Sequence, residues 1–188
     1  MDTDSEFQLQ YFRTLLEESD RGAVLLEASR LDDLLKDLHR THIKSTSGAP
    51  QKFLKSLFET HAPLSTFAAR IQLGYGFGLV HRDDYLDLEC LRKLRNDVAH
   101  STSEFSFRCA EMRTRVFALT APKRIQQTFP HFPLTPQELE AANTPADDEK
   151  TAKLYLILSG MSLSMVLLAR TAKILQYEYQ ELEGRPES

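Results

Sequence analysis

Tryptophan is absent from this chain, cysteine occurs twice and glycine seven times in 188 residues. Two cysteines exclude a disulfide-dense scaffold, and Cys90 and Cys109 form no CxxC pair; reduced thiols buried in helical segments are the reading, which suits the cytosol. Positive charge is in deficit, since 23 Lys and Arg face 27 Asp and Glu for a formal net charge of −4. No global field therefore draws nucleic acid to the molecule, and any such contact has to be local or come from an assembly. Long apolar runs are missing too. The most apolar stretch, Leu154 to Leu168, is interrupted by Ser159, Gly160, Ser162 and Ser164, and falls short of the roughly 20 residues that cross a bilayer. It reads as a buried helix, with no membrane as partner. The acidic start MDTDSEFQLQ lacks the apolar core of a secretory leader. No segment alternates like a strand, which excludes a sheet-based architecture.

What is present is helical spacing nearly throughout. A first helix is expected from Ser5 to about Glu17, with Phe7, Tyr11 and Leu15 on one face. Ser19 or Asp20 can cap a second, whose stripe Val24, Ala28, Leu31, Leu35 and Leu38 steps four-three-four-three like a bundle helix. That helix is expected to decay into the loop-like THIKSTSGAP, after which Pro50 opens a short helix. Pro63 starts the next, PLSTFAARIQLGYGFGL, where Gly74 and Gly78 share a face. In a helix GYGFG is better suited to close packing and a stop than to a phosphate cradle, which needs a preceding strand. Asp83 and Asp84 open the helix RDDYLDLECLRKLRNDVAH, about 83–99. Ser101 to Glu104 has the form of a capping box for a helix ending near Thr120.

Five of the eight prolines then fall between Ala121 and Lys150. This stretch is expected to be an irregular surface loop, with one small helix signal at Thr135-Pro136-Gln137-Glu138. A closing helix, about 151–182, carries two apolar stripes: Leu154, Ile157, Leu158, Met161, Met165 and Leu168, then Leu156, Leu163, Leu167 and Ile174. One stripe faces the core; the other asks for a partner, and self-association is the simplest supply, so a homodimer is expected. The whole reads as a single all-α domain over 1–188, an up-and-down bundle of six or seven helices.

One constellation stands out. Taking about 100° per residue with Leu88 at zero, Leu91 falls near 300°, Leu94 near 240°, Val98 near 280° and Arg95 near 340°, inside the apolar arc. An arginine aimed at a core is costly unless paired or used. Glu27 and Asp32 are the candidate carboxylates for it. Five residues on comes His100, in Arg95-Asn96-Asp97-Val98-Ala99-His100. On a continuous helix Arg95 and His100 point about 140° apart. They converge only if the helix ends first or two subunits share a site. A core arginine followed by a terminal histidine is the other reading, and the residues leave both open. His39 and His42, three apart, lack a further ligand at metal spacing. No cofactor and no metal are called for.

RNDVAH matches the Arg-x4-6-His motif of the HEPN superfamily, and the segments Glu18 to Leu35 and Pro63 to His100 resemble the mannitol operon repressor family. The resemblance covers roughly residues 11 to 119. It implies a HEPN-like all-α fold, dimers and no DNA-reading module. It also implies a regulatory protein, a transcriptional repressor of a carbohydrate (mannitol-type) operon acting through a protein partner. The alternative it implies is a metal-independent endoribonuclease, a toxin or defence effector with RNA as substrate. Arg95 would then stabilise phosphate charge, Asn96 orient and His100 transfer protons. The acidic balance and the lack of a helix-turn-helix pattern argue against direct sequence-specific DNA binding in either case.

Overall fold

The structure, a computed structural model, describes residues 3–100, 105–128 and 134–183. Among them are nine helices and no strand: α1 (Thr3–Glu17), α2 (Asp20–Ser47), α3 (Gln51–Ser56), α4 (Phe67–Gly76), α5 (Arg82–His100), α6 (Ala110–Phe117), α7 (Ala121–Thr128), α8 (Pro136–Asn143) and α9 (Glu149–Glu183). The all-α bundle expected from the sequence is what forms. The count exceeds six or seven because 121–150, expected to be irregular, contributes α7 and α8. The small signal near Thr135 is real: its side chain and that of Glu138 form a reciprocal capping box at the start of α8.

Local chemistry sets the helix limits. Ser19 caps α2, its hydroxyl accepting from the Gly22 N–H at 3.0 Å. That helix does not decay at Thr41. It runs to Ser47, with the hydroxyls of Thr46 and Ser47 donating back to the carbonyls of His42 and Ile43 at 2.8 and 2.6 Å. Gly48, at φ 60°, then ends it, its N–H donating to Lys44 O. The next long helix starts later than Pro63. Thr66 is its cap, accepting from the Ala69 N–H at 3.1 Å, while residues 57–66 form turns. Gly78 lies beyond the end of α4 at φ 70°, so it acts as the stop and shares no helical face with Gly74. Gly74 does provide close packing: a Cβ there would meet Val80 Cγ2 at 3.1 Å and His39 Nε2 at 3.4 Å. The capping box expected at Ser101 to Glu104 lies outside the described residues, as does His131.

The core is built on α2 against α9, with α4, α5, α6 and α7 closing around them. The predicted α2 stripe of Val24, Ala28, Leu31, Leu35 and Leu38 is fully buried there, with Leu88, Leu91, Leu94 and Val98 of α5. Most of both stripes of α9 finds cover within the chain. Leu156, Leu163 and Leu167 enter the main core. Ile157 and Met161 pack against Leu15 of α1 in a separate small cluster. Much of the surplus face that asked for a second copy is therefore covered by this chain's own α1 and by the 121–150 helices, while Leu168 at its far end stays exposed. α9 is long and apolar enough by composition to cross a membrane, but 67% of that apolar window is buried inside the molecule, as in a core helix. Two of its serines are absorbed: Ser159 donates to the Tyr155 carbonyl at 2.7 Å and Ser162 to that of Ala121 at 3.1 Å.

Candidate functional site

The motif residues sit at the C-terminal end of α5, and Arg95 does not enter the core. It is exposed, and its Nη1 donates to the Oδ1 of its neighbour Asn96 at 3.1 Å. Two physical reasons turn it outward. Its long stem lets the charged head leave the flank of the apolar arc for solvent. Of the two carboxylates expected to meet it, one is engaged elsewhere and the other is buried away from it. Asp32 is bound by Arg70, whose Nη2 approaches Oδ1 at 2.5 Å and whose Nε donates to it at 2.7 Å. Glu27 is buried beneath α9, beside Gly160. Arg95 still acts on Asp32 at longer range: burial raises that carboxyl's pKa, while Arg70 and, more weakly, Arg95 oppose the rise.

His100 is the last residue of α5 and is exposed. Because the helix runs through it without a break, Arg95 and His100 leave the axis about 140° apart. Bringing both to one phosphate thus calls for two copies of the chain. Around them the positive groups are largely committed. Arg21 Nη2 donates to the Val98 carbonyl at 2.6 Å, meeting the negative end of the helix. Arg115 pairs with Asp97 at 2.6 Å, and Arg92 with Glu89 at 2.9 Å. Arg30 of α2 lies over the Tyr11 ring at 4.2 Å.

The other candidates resolve structurally. His39 is buried and its Nε2 donates to the Arg70 carbonyl at 2.8 Å; burial lowers its pKa and keeps the ring neutral. That commits one of the two nitrogens considered for a metal. Among the described residues no group of three or more His, Cys, Asp or Glu is placed to hold a metal ion. Cys90 is half-buried and lies 3.5 Å from the Arg115 carbonyl, whereas Cys109, expected to be buried, is exposed as the residue preceding α6.

Sequence reasoning missed the strongest polar centre. Asp84 and Asp87 of α5 are both buried. Asp87 accepts from the Thr120 and Ala121 N–H groups (3.0 Å at Oδ1 and 2.7 Å at Oδ2) and from the Thr120 hydroxyl at 3.1 Å. Arg124 of α7 bridges the two acids, with Nη1 to Asp84 at 2.8 Å and Nη2 to Asp87 at 3.1 Å. Arg170 of α9 lies 3.7 Å from Asp84 and donates to the Leu79 carbonyl at 2.8 Å. The signal was available: on the angular scale used for Arg95, Asp84 and Asp87 fall near 320° and 260°, inside the apolar arc. This centre has the form of a structural clamp that joins α5, α7 and α9.

Fold and site define an all-helical scaffold with Arg95 and His100 exposed at the end of α5. Residues 18–171 match the family described as mannitol repressor, and the chain belongs to that family. Similar relatives are the mannitol operon repressors of Escherichia coli K12 and of E. coli O6:H1 strain CFT073, each 33% identical over 54 residues. Those alignments cover 29% of this chain and 28% of each relative, so the chain is matched to under a third of the curated relatives' length. No solved structure matches it.

Proposed function

We propose that this protein is a repressor-type regulator of a carbohydrate (mannitol-type) operon, acting in the cytoplasm through a protein partner instead of reading DNA itself. Membership of the mannitol repressor family supports the regulatory half. The observation that supports the partner route is where the arginines go. Arg70, Arg92, Arg108, Arg113, Arg115, Arg124 and Arg170 all lie against carboxylates of this same chain. With a net charge of −4, those pairings leave no overall excess of positive charge for the phosphate contacts on which DNA affinity rests. The purified protein alone is expected to give no sequence-specific gel shift with its operon's control region at physiological salt. A specific shift that persists under those conditions overturns the partner route.

The exposure of Arg95 and His100, with half-buried Asn96 between them in sequence, favours a second reading, a metal-independent HEPN endoribonuclease. An arginine not held in a core ion pair is available to a phosphate. In that chemistry the RNA 2′-oxygen bonds to phosphorus, the 5′-oxygen leaves, His100 moves the proton and Arg95 neutralises the pentacovalent charge. DNA lacks the nucleophile. Since Arg95 is exposed, Arg95→Ala is expected to fold with a loss under about 1 kcal/mol, so it tests chemistry without testing the fold. Under this reading wild type cleaves a structured RNA in EDTA, both Arg95→Ala and His100→Ala are inactive, and light scattering finds a dimer. A wild type that cuts no RNA removes it.

A further inference from the structure

We propose that α1 is a detachable strap over the groove between α2 and α9, and that it is released when Glu27, the carboxyl beneath it, loses its proton. The proposal is independent of the repressor reading.

α1 stands apart from the rest of the fold in three ways. It precedes the family match, which begins at residue 18, and only Glu18 and Ser19 join it to α2. Its apolar anchorage is a small cluster of its own, with Leu15 against Ile157 and Met161 and half-buried Tyr11 and Phe12 beside them. Its polar ties among the described side chains include Lys153 of α9, whose ammonium donates to the carbonyls of Leu16 (2.9 Å) and Glu18, and Arg30 of α2, which lies 4.2 Å from the Tyr11 ring. Segments held by few buried contacts are the first to open.

The floor under the strap is also poorly matched. Glu27 is 0% exposed, and neither of its carboxyl oxygens has a hydrogen-bond partner. The buried hydroxyl of Ser164 on α9 lacks a partner as well. Gly160 makes the room, since a Cβ at that position would meet the Glu27 carboxyl group. From α1 the group facing Glu27 is Tyr11, whose own hydroxyl is pushed up by burial and by the Glu27 charge. From α2 it is Arg30, whose charge favours the carboxylate. From α9 comes Gly160, which carries no charge. A neutral acid is tolerable in such a place, while a carboxylate is not without water. Water reaches Glu27 most cheaply by lifting α1, because parting α2 from α9 would break the main core.

Burial raises the Glu27 carboxyl from 4.5 to about 8, with Arg30 opposing. The strapped state therefore holds the proton more tightly than the opened state, where the group returns to its ordinary value. Between those two values opening is favoured about tenfold per pH unit, and above about pH 8 the gain levels off.

Amide hydrogen exchange on the full chain at pH 6 and pH 8, corrected for intrinsic rates, tests this. The opening equilibrium of α1 is expected to rise about fiftyfold from the lower to the higher pH, while the amides of α5 keep their protection. Glu27→Gln is expected to flatten that rise, and Leu15→Ala to loosen α1 at both pH values. An α1 equally protected at both pH values in the wild type overturns the proposal. So does an undiminished rise in Glu27→Gln, or an α1 indifferent to Leu15→Ala. The wild-type profile decides even if a variant fails to fold.

Discussion

Asp87→Ala is expected to lower the unfolding free energy by about 3–5 kcal/mol, the usual cost of removing one partner from a buried ionic centre. The carboxylate receives the Thr120 and Ala121 N–H groups, the Thr120 hydroxyl and Arg124 Nη2 together. Alanine leaves those donors without that acceptor, and α7 loses the negative charge at its first turn. The charge is held at a cost, since burial raises the Asp87 pKa against the pull of Thr120 and Arg124. The loss thus measures orphaned donors more than a favourable pair. Asp87→Asn keeps one acceptor oxygen and the shape, and should fall between alanine and wild type. Urea unfolding of the three proteins measures it. An Asp87→Ala within about 0.5 kcal/mol of wild type, the range of an ordinary surface substitution, would show that the clamp does not hold α7.

The clamp also marks where the sequence stopped being legible. Periodicity alone located the buried faces of α2 and α5, because those stripes are the repeating term and every turn repeats it. The same angular rule was applied to Arg95 and gave the wrong direction for its side chain. A helical wheel gives the bearing of a Cβ, and a long cationic side chain need not follow it. The short acids Asp84 and Asp87 have no such freedom and stayed inside. Their partner Arg124 lies 37 residues beyond Asp87, in a proline-rich stretch whose composition suggested a loop. The helix α7 has its N-terminus satisfied from another element, so no local capping signal announced it. Glu27 was legible in the same sense, about 20° from Leu38 on the wheel of α2, but nothing local says that a glycine of α9 will receive it.

That glycine carries the last large effect. Gly160→Ala in wild type is expected to destabilise by about 1–3 kcal/mol, the cost of forcing extra volume into a packed interior. An ideal Cβ there would stand 2.8 Å from Glu27 Oε1 and closer still to the other carboxyl atoms. Glu27 has nowhere to retreat, being fully buried between the two helices that form the centre of the core. In an otherwise open helix the same change would be favourable by about 1 kcal/mol, because glycine is a poor helix former. The sign should therefore depend on residue 27. In a Glu27→Ala background the carboxyl is gone, and Gly160→Ala should become neutral or stabilising. The double-mutant cycle should then show coupling on the order of 2–3 kcal/mol. Denaturant unfolding of the four proteins at one pH gives the cycle. If Gly160→Ala stabilises both backgrounds alike, Glu27 does not sit against α9, and the buried acid beneath α1 goes with it.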